Sequence, residues 1–299
     1  MSGSKEFMEK YKIIKTLGKG TFGEVYLVYK IDEGTESFYV LKLIKNVLRE
    51  TDFKLIDIED KVLKKINCSS PHLLCLKDSY VKHKDYAIFV FDYVKDSITL
   101  KTYFQIYKSI ISKEYLKNIF NDILNALIDL YQFKVIHLDI KPDNILINNN
   151  TKKTYLIDYG LACIIKDDAK HCNDVTSLRG SIEYISPEII NCKDNCDIDY
   201  YSDVYSLGIL LTYLISKTHI GIFTRLTNKI YFKTTKHFLD YKSQNINDDL
   251  FKLLNNEYIE ETYLPFIPLI KLMINYNQFE RPSYEIIKLQ FNEIIDSLK

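Results

Sequence analysis

Residues 135–160 read VIHLDIKPDNILINNNTKKTYLIDYG. An ordered polar series (His137, Asp139, Lys141, Asn144) precedes a short apolar run; a polar turn and a second apolar run then lead to Asp158, Tyr159 and Gly160. Two short apolar runs joined by NNNTKK are the pattern of a β-hairpin. A hairpin brings its outer ends together, so the spacing predicts Asp139, Lys141 and Asn144 near Asp158. Two carboxylates, an amide oxygen and an ammonium suit a divalent cation bridging to a phosphate, with a base beside it. Phosphoryl transfer needs these parts: metal ligands, charge neutralisation and a carboxylate that accepts a hydroxyl proton. A solvated polar turn would leave the His-x-Asp-x-Lys-x-x-Asn series unexplained.

Toward the N-terminus, residues 11–30 read YKIIKTLGKGTFGEVYLVYK, in which Gly18, Gly20 and Gly23 form a Gly-x-Gly-x-x-Gly. A dinucleotide-binding turn needs a helix directly after the glycines. The β-branched and aromatic residues that follow Glu24 predict a second strand instead. An ordinary glycine hairpin is the competing reading of this motif alone. Residues 37–44 then form an apolar strand that carries one lysine, Lys42. A buried lysine needs an anionic partner. The segment 53–66 supplies candidates: Phe53, Ile56, Val62, Leu63 and Ile66 recur at helical spacing, and Glu59 borders their face. Asp57 and Asp60 are rivals that sit less well against the apolar run.

Residues 86–94, YAIFVFDYV, predict another strand. Leu116, Ile119, Phe120, Ile123, Leu124, Leu127 and Leu130 predict a long amphipathic helix leading into the 135–160 stretch. A segment of about 202–215 is apolar almost all round, hence a helix buried at the centre of its domain. Residues 224–256 carry no legible motif.

Taken together, the ordered motifs resemble the eukaryotic protein-kinase family, in its Ser/Thr branch, over about residues 11–285. The resemblance implies an α+β fold of two lobes: a small antiparallel β lobe with one main helix over 1–94, and a larger, mainly helical lobe over 95–299. ATP and Mg2+ would occupy the cleft between them. Asp139 would be the catalytic base and Lys141 would steady the transferred phosphoryl group. Asn144 and Asp158 would hold magnesium, and Lys42 would contact the α/β-phosphates while pairing with Glu59. Leu17, Gly18, Lys19, Gly20, Gly23, Val25 and Val40 would cover the nucleotide, with Leu146 beneath the base. Phe91 takes the gatekeeper position, and Asp92, Tyr93 and Val94 would meet adenine through backbone groups.

Tyr159 stands where the family has Phe, a swap tolerated if the hydroxyl finds a partner. Residues 180–188, GSIEYISPE, resemble the family's Gly-Thr to Ala-Pro-Glu segment, with Ser181 and Ser186 as departures. Arg281 matches the arginine that pairs with Glu188, Asp203 the aspartate that braces the catalytic loop, and Tyr205 stands in place of Trp. Where most regulated members place arginine before the catalytic aspartate, this chain has Leu138. Thr176 and Ser177 lie in the activation segment, and leucine cannot capture a phosphate there. Lys166, Lys170 and Arg179 are the alternative cations. Basal activity without activation-segment phosphorylation is therefore expected.

The bulk numbers fit such a protein and exclude others. The 299 residues carry 40 basic and 40 acidic side chains, so no broad basic surface selects nucleic acid or membrane. Hydrophobic residues at 46% are ordinary for a globular chain. Only four arginines are present, one of them Arg281. The six cysteines contain no Cys-x-x-Cys pair, make a poor zinc site and read as reduced thiols of a cytoplasmic or nuclear protein. With no apolar run long enough to span a bilayer and no separate targeting module in view, the expectation is a monomeric, non-membrane kinase acting on Ser or Thr of protein substrates. Two rivals share some of these features. A pseudokinase would have lost a catalytic position, and a small-molecule phosphotransferase would lack the Glu188–Arg281 pair.

Overall fold

The computed structural model describes all residues except 1–6, 21–22, 33–34, 46–49, 83–85, 109–110, 168, 170, 173–179, 193–195, 220, 223, 225–238, 241, 243–246, 256 and 299. Packing divides the chain into two units, Met1–Asp96 with Asp158–Gly160, and Ser97–Ile157 with Leu161–Lys299.

In the first unit, strands β1 (Lys12–Gly20), β2 (Gly23–Asp32), β3 (Thr35–Ile44), β4 (Leu76–Lys82) and β5 (Tyr86–Asp92) form one antiparallel sheet, in the order β1-β2-β3-β5-β4. The glycine motif lies on a strand–turn–strand hairpin, as its β-branched sequel predicts, with Gly18 opposite Val25 and Gly20 opposite Gly23. A side chain at Gly23 would collide with the Leu43 carbonyl oxygen, so close strand packing alone demands glycine there. Register sorts the two faces. Val25 pairs with Lys42 and Lys42 with Phe89, while Leu27 pairs with Val40 and Val40 with Phe91, which puts all six on one face. The opposite face buries Val28, Leu41, Leu43, Ile88 and Val90 against Phe7 and Tyr11.

Helix α1 (Glu50–Ile66) buries Ile56, Val62, Leu63 and Ile66, and its Glu59 falls within that stripe rather than at its edge, at 2% exposure. Asp158–Gly160, placed by the sequence reading in the second lobe, packs with the first unit. The cause is Tyr159, which is fully buried and whose hydroxyl bonds the Leu74 backbone.

The second unit starts with β6 (Ser97–Thr99), α2 (Leu100–Tyr107) and α3 (Lys113–Gln132). Ser112 caps α3 by accepting from the Tyr115 amide, and the helix buries the seven apolar residues its periodicity singles out. After β7 (Val135–Ile136), strands β8 (Ile145–Asn148) and β9 (Thr154–Leu156) pair antiparallel across the NNNTKK turn. Strand β6 adds to β8, and β10 (Cys163–Ile164) pairs with β7. Further described α-helices are α4 (Pro187–Ile190), α5 (Tyr201–Ile215), α6 (Asn247–Leu253), α7 (Ile267–Met273) and α8 (Tyr284–Ser297). Helix α5 is buried on every side from Ser202 to Ile215. Its Gly208 admits α7: a Cβ there would lie 2.9 Å from the Met273 Cβ and 2.7 Å from an Ile274 methyl.

The expectation of six reduced thiols is overturned. Cys68 is joined to Cys75, Cys163 to Cys172 and Cys192 to Cys196, with Cα separations of 4.6, 6.3 and 5.6 Å. Each pair is local, separated by seven, nine or four residues, without any Cys-x-x-Cys spacing.

Candidate active site

Two groups of side chains match the expected chemistry, one in each unit. In the first, Lys42 projects from near the C-terminal end of β3 between two carboxylates: its Nζ donates to Glu59 Oε1 at 2.7 Å and to Asp158 Oδ1 at 2.8 Å. Asp57 and Asp60, the rivals for Glu59, instead pair with Lys61 and Lys64 on the helix surface. Burial opposes charge on Lys42, but the two carboxylates outweigh it, and its pKa is raised above the ordinary lysine value. Asp158 holds a left-handed backbone, φ +67°, a conformation that aspartate adopts more readily than most non-glycine residues.

On the same sheet face as Lys42, Val25 and Val40 are half-buried and Phe91 is buried. Leu17 is exposed. Lys19 pairs with Glu24 at 2.9 Å, and Glu24 also accepts from the Tyr26 hydroxyl. At the end of β5, the Asp92 carboxylate pairs with Lys77 at 3.0 Å, and its amide donates to the Cys75 carbonyl at 3.2 Å. Val94 is half-buried just beyond.

In the second unit Asp139 is the focus. It is 5% exposed, and both its carboxylate oxygens are engaged. Oδ2 accepts from Lys141 Nζ at 2.6 Å and Asn144 Nδ2 at 2.8 Å; Oδ1 accepts from the Ser181 amide at 3.0 Å and the Ser181 hydroxyl at 2.9 Å. Lys141 also donates to Ser181 Oγ at 2.7 Å. A second bond from Asn144 Nδ2, to the Asp139 carbonyl at 2.9 Å, fixes that amide with its nitrogen turned toward the loop. Leu146, two residues on, is half-buried on β8.

The loop that carries Asp139 is held from below. The amides of His137 and Leu138 donate to the two oxygens of Asp203, each at 2.8 Å. Burial pushes the Asp203 carboxyl up from its ordinary value, against the pull of those amides and His137. This grip sustains the left-handed Leu138, φ +64°. The Asp139 amide donates to His137 Nδ1 at 3.2 Å, which fixes the imidazole as the tautomer whose Nε2–H donates to the Ile157 carbonyl, also at 3.2 Å. Leu138 itself points into an apolar cluster with Ile136, Cys163, Ile165, Cys172, Ile185, Ile189 and Ile198. Lys166 is exposed, whereas Thr176, Ser177, Lys170 and Arg179 lie outside the described residues.

Sequence reasoning assigned Ser181 a position but no role, and nothing in its own neighbourhood shows that its hydroxyl would join Asp139 to Lys141. Lys242 was missed altogether: it is a fully buried lysine in a stretch without a legible pattern. Among the described residues no group of three or more His, Cys, Asp or Glu has metal-holding geometry. No described helix is long and apolar enough to cross a membrane.

Comparison with known proteins agrees with this geometry. The profile of the protein kinase domain matches residues 11–291. The carbon catabolite-derepressing protein kinase of Candida glabrata is 30% identical over 209 residues, covering 69% of this chain and 32% of that protein. A probable serine/threonine-protein kinase of Dictyostelium discoideum is 28% identical over 264 residues, 83% of this chain and 36% of its own length. Calcium-dependent protein kinase 4 of Plasmodium falciparum is 29% identical over 222 residues, 70% of this chain and 38% of its own. The chain thus spans about a third of the length of these curated relatives. A profile match across nearly all its residues, on a fold of this kind, makes the chain a member of the protein kinase domain family.

Proposed function

We propose that the chain is a serine/threonine protein kinase that transfers the γ-phosphoryl group of ATP to hydroxyls of protein substrates. The observation that carries this reading is the Asp139 carboxylate, buried yet bonded to an ammonium, an amide and a hydroxyl in one fixed arrangement. A hydroxyl already rests on Oδ1, that of Ser181, so a substrate hydroxyl can be accepted by the same chemistry. Lys141, 2.6 Å from that carboxylate, neutralises charge on the transferred phosphoryl group. Lys42, kept charged by Glu59 and Asp158, takes the α/β-phosphates. The Val25, Val40 and Phe91 face of the sheet provides the apolar cover for adenine, with Leu17, Gly18, Lys19, Gly20, Gly23 and the backbone of Asp92 and Val94 completing the nucleotide contacts.

Magnesium fits the donors present. Asn144, whose amide nitrogen is spent on Asp139, and Asp158, whose carboxylate is half-exposed, are the residues that would hold it, and hard oxygens of this kind suit Mg2+. Its chemistry there would be to supply positive charge against the phosphate oxygens.

Selection of Ser and Thr over Tyr rests on Lys141 two residues after Asp139, and the relatives named as serine/threonine kinases support it. The apolar surroundings of Leu138 support activity without a phosphate on the activation segment. The balanced charge supports a protein substrate rather than nucleic acid.

The test is transfer from radiolabelled ATP–Mg to a degenerate peptide library, followed by phosphoamino-acid analysis. Label on phosphoserine and phosphothreonine is expected; label confined to phosphotyrosine, or to small molecules, would reject the assignment.

A further inference from the structure

Lys242 is fully buried, and none of the roles assigned above uses it. Its Nζ donates to the carbonyl oxygens of Ile182 at 2.8 Å and Glu183 at 2.9 Å, and it lies 5.5 Å from the centre of the Tyr205 ring. Desolvation pushes its pKa well below the ordinary lysine value, with Glu183 and Glu188 opposing. An amine carries the N–H groups that two carbonyls need whether it is charged or neutral, so burial does not cost it this role. An apolar residue would leave the two carbonyls without this donor.

The turn that Lys242 grips is the one that presents Ser181. The amides of Tyr184 and Ile185 close it by donating to the Ser181 carbonyl at 2.8 and 3.0 Å. Ser206 Oγ holds its far end through the Tyr184 carbonyl at 2.8 Å, and the Glu183 carboxylate is met by the Thr224 amide at 3.2 Å. On its outer side, Ser181 places an amide and a hydroxyl on Asp139 Oδ1 and receives Lys141. The inward carbonyls of residues 182 and 183 thus complete a path from Lys242 to the carboxylate.

We infer that Lys242 is a positioning residue for phosphoryl acceptance: by clasping the 182 and 183 carbonyls it fixes the 181–184 turn, and through Ser181 it fixes Asp139. The inference rests on the kinase reading. It adds a contribution from the stretch between α5 and α7, where the sequence shows no motif. Because, among the described residues, this turn bonds Asp139 and Lys141 and none of the residues assigned to the nucleotide, its loosening is expected to fall on the protein substrate.

The experiment compares wild type, Lys242→Met, Ser181→Ala and the double variant by steady-state kinetics on a phosphorylatable peptide, with active enzyme counted by ATP-analogue binding. Lys242→Met is expected to lower kcat/KM for peptide by about tenfold to a hundredfold, the scale of a misplaced catalytic group, while KM for ATP stays within about twofold. The double variant is expected to lose no more than the worse single variant, as two residues on one path do. Unchanged peptide kinetics per active molecule, or losses that simply multiply in the double variant, would overturn the inference. An inactive wild type would instead reject the kinase reading beneath it. Should Lys242→Met fail to fold, hydrogen exchange on the wild type decides. The Tyr184 and Ile185 amides are expected to be as protected as those of α5, and exchange at the rate of an open loop would contradict a clasped turn.

Discussion

Arg281 closes both arms of its guanidinium on Glu188, 93 residues away, with Nη1 to Oε1 at 2.7 Å and Nη2 to Oε2 at 2.8 Å. Its remaining donors are spent on the carbonyls of Asn275, Tyr201 and Tyr276, and Ser202 adds a hydroxyl to Glu188 at 2.7 Å. Its planar group also lies 5.0 Å from the Tyr205 ring, so tyrosine serves at the position where the family has tryptophan. One of only four arginines in a lysine-rich chain therefore sits where lysine could not replace it.

Removing that fork is expected to be costly. Arg281→Met leaves a buried carboxylate unpaired and should destabilise the second unit by about 3–5 kcal/mol, read as a fall in the denaturation midpoint. Arg281→Lys should recover less than half of the loss, and a full recovery would show that charge, not the fork, is what matters.

The same pair sets a pH dependence. Burial would raise the Glu188 carboxyl, but Arg281 and Ser202 outweigh it, and its pKa lies below the ordinary 4.5. A carboxyl depressed in the folded state stabilises fully above its unfolded value, and the stabilisation fades as pH falls through the folded value. Wild type should therefore lose more stability than Glu188→Gln between about pH 5 and about pH 3. Parallel melting curves over that interval would contradict a depressed Glu188.

Lys42 and Glu59 separate stability from turnover. Glu59 is 2% exposed, so Lys42→Met should leave a buried carboxylate unpaired and lower the melting temperature, in addition to nearly abolishing turnover. Lys42→Met with Glu59→Gln should restore the melting temperature and not the activity. Activity near wild type in either variant would mean that another residue grips the phosphates.

Much of this was legible because the signals are local. The NNNTKK turn between two apolar runs is enough to define β8 and β9, and the unbroken apolar character of 202–215 marks α5 as buried. Lys42 in an apolar strand and Glu59 at helical spacing anticipate their ion pair. What escaped depends on partners far away in sequence. Ser181 acquires meaning only when the chain returns to Asp139, 42 residues earlier, and Lys242 only against carbonyls about 60 residues earlier. The cysteine pairs were misread because the paired sulfurs stand at spacings that match no metal or redox motif.

Leu138 bears on control. With Leu138 in an apolar cluster, a phosphatase-treated Thr176→Ala/Ser177→Ala variant is expected to keep activity within a few fold of wild type on an external substrate. A loss of about a hundredfold, restored by acidic residues at either site, would show that a phosphate is captured after all.

The central claim is that Asp139 accepts the proton of the substrate hydroxyl in an ATP-dependent transfer, and one paired measurement tests it most directly. Phosphorylation of the best library peptide and affinity for ATP–Mg are measured on wild type and on Asp139→Asn. The asparagine variant keeps the size of the side chain, and Asn144, Ser181 and Lys141 remain to hold the loop. Peptide phosphorylation is expected to fall by about a hundredfold to ten-thousandfold, with ATP–Mg affinity within a few fold of wild type. Substantial turnover in folded Asp139→Asn, or no transfer by wild type to any Ser or Thr peptide, would contradict the account.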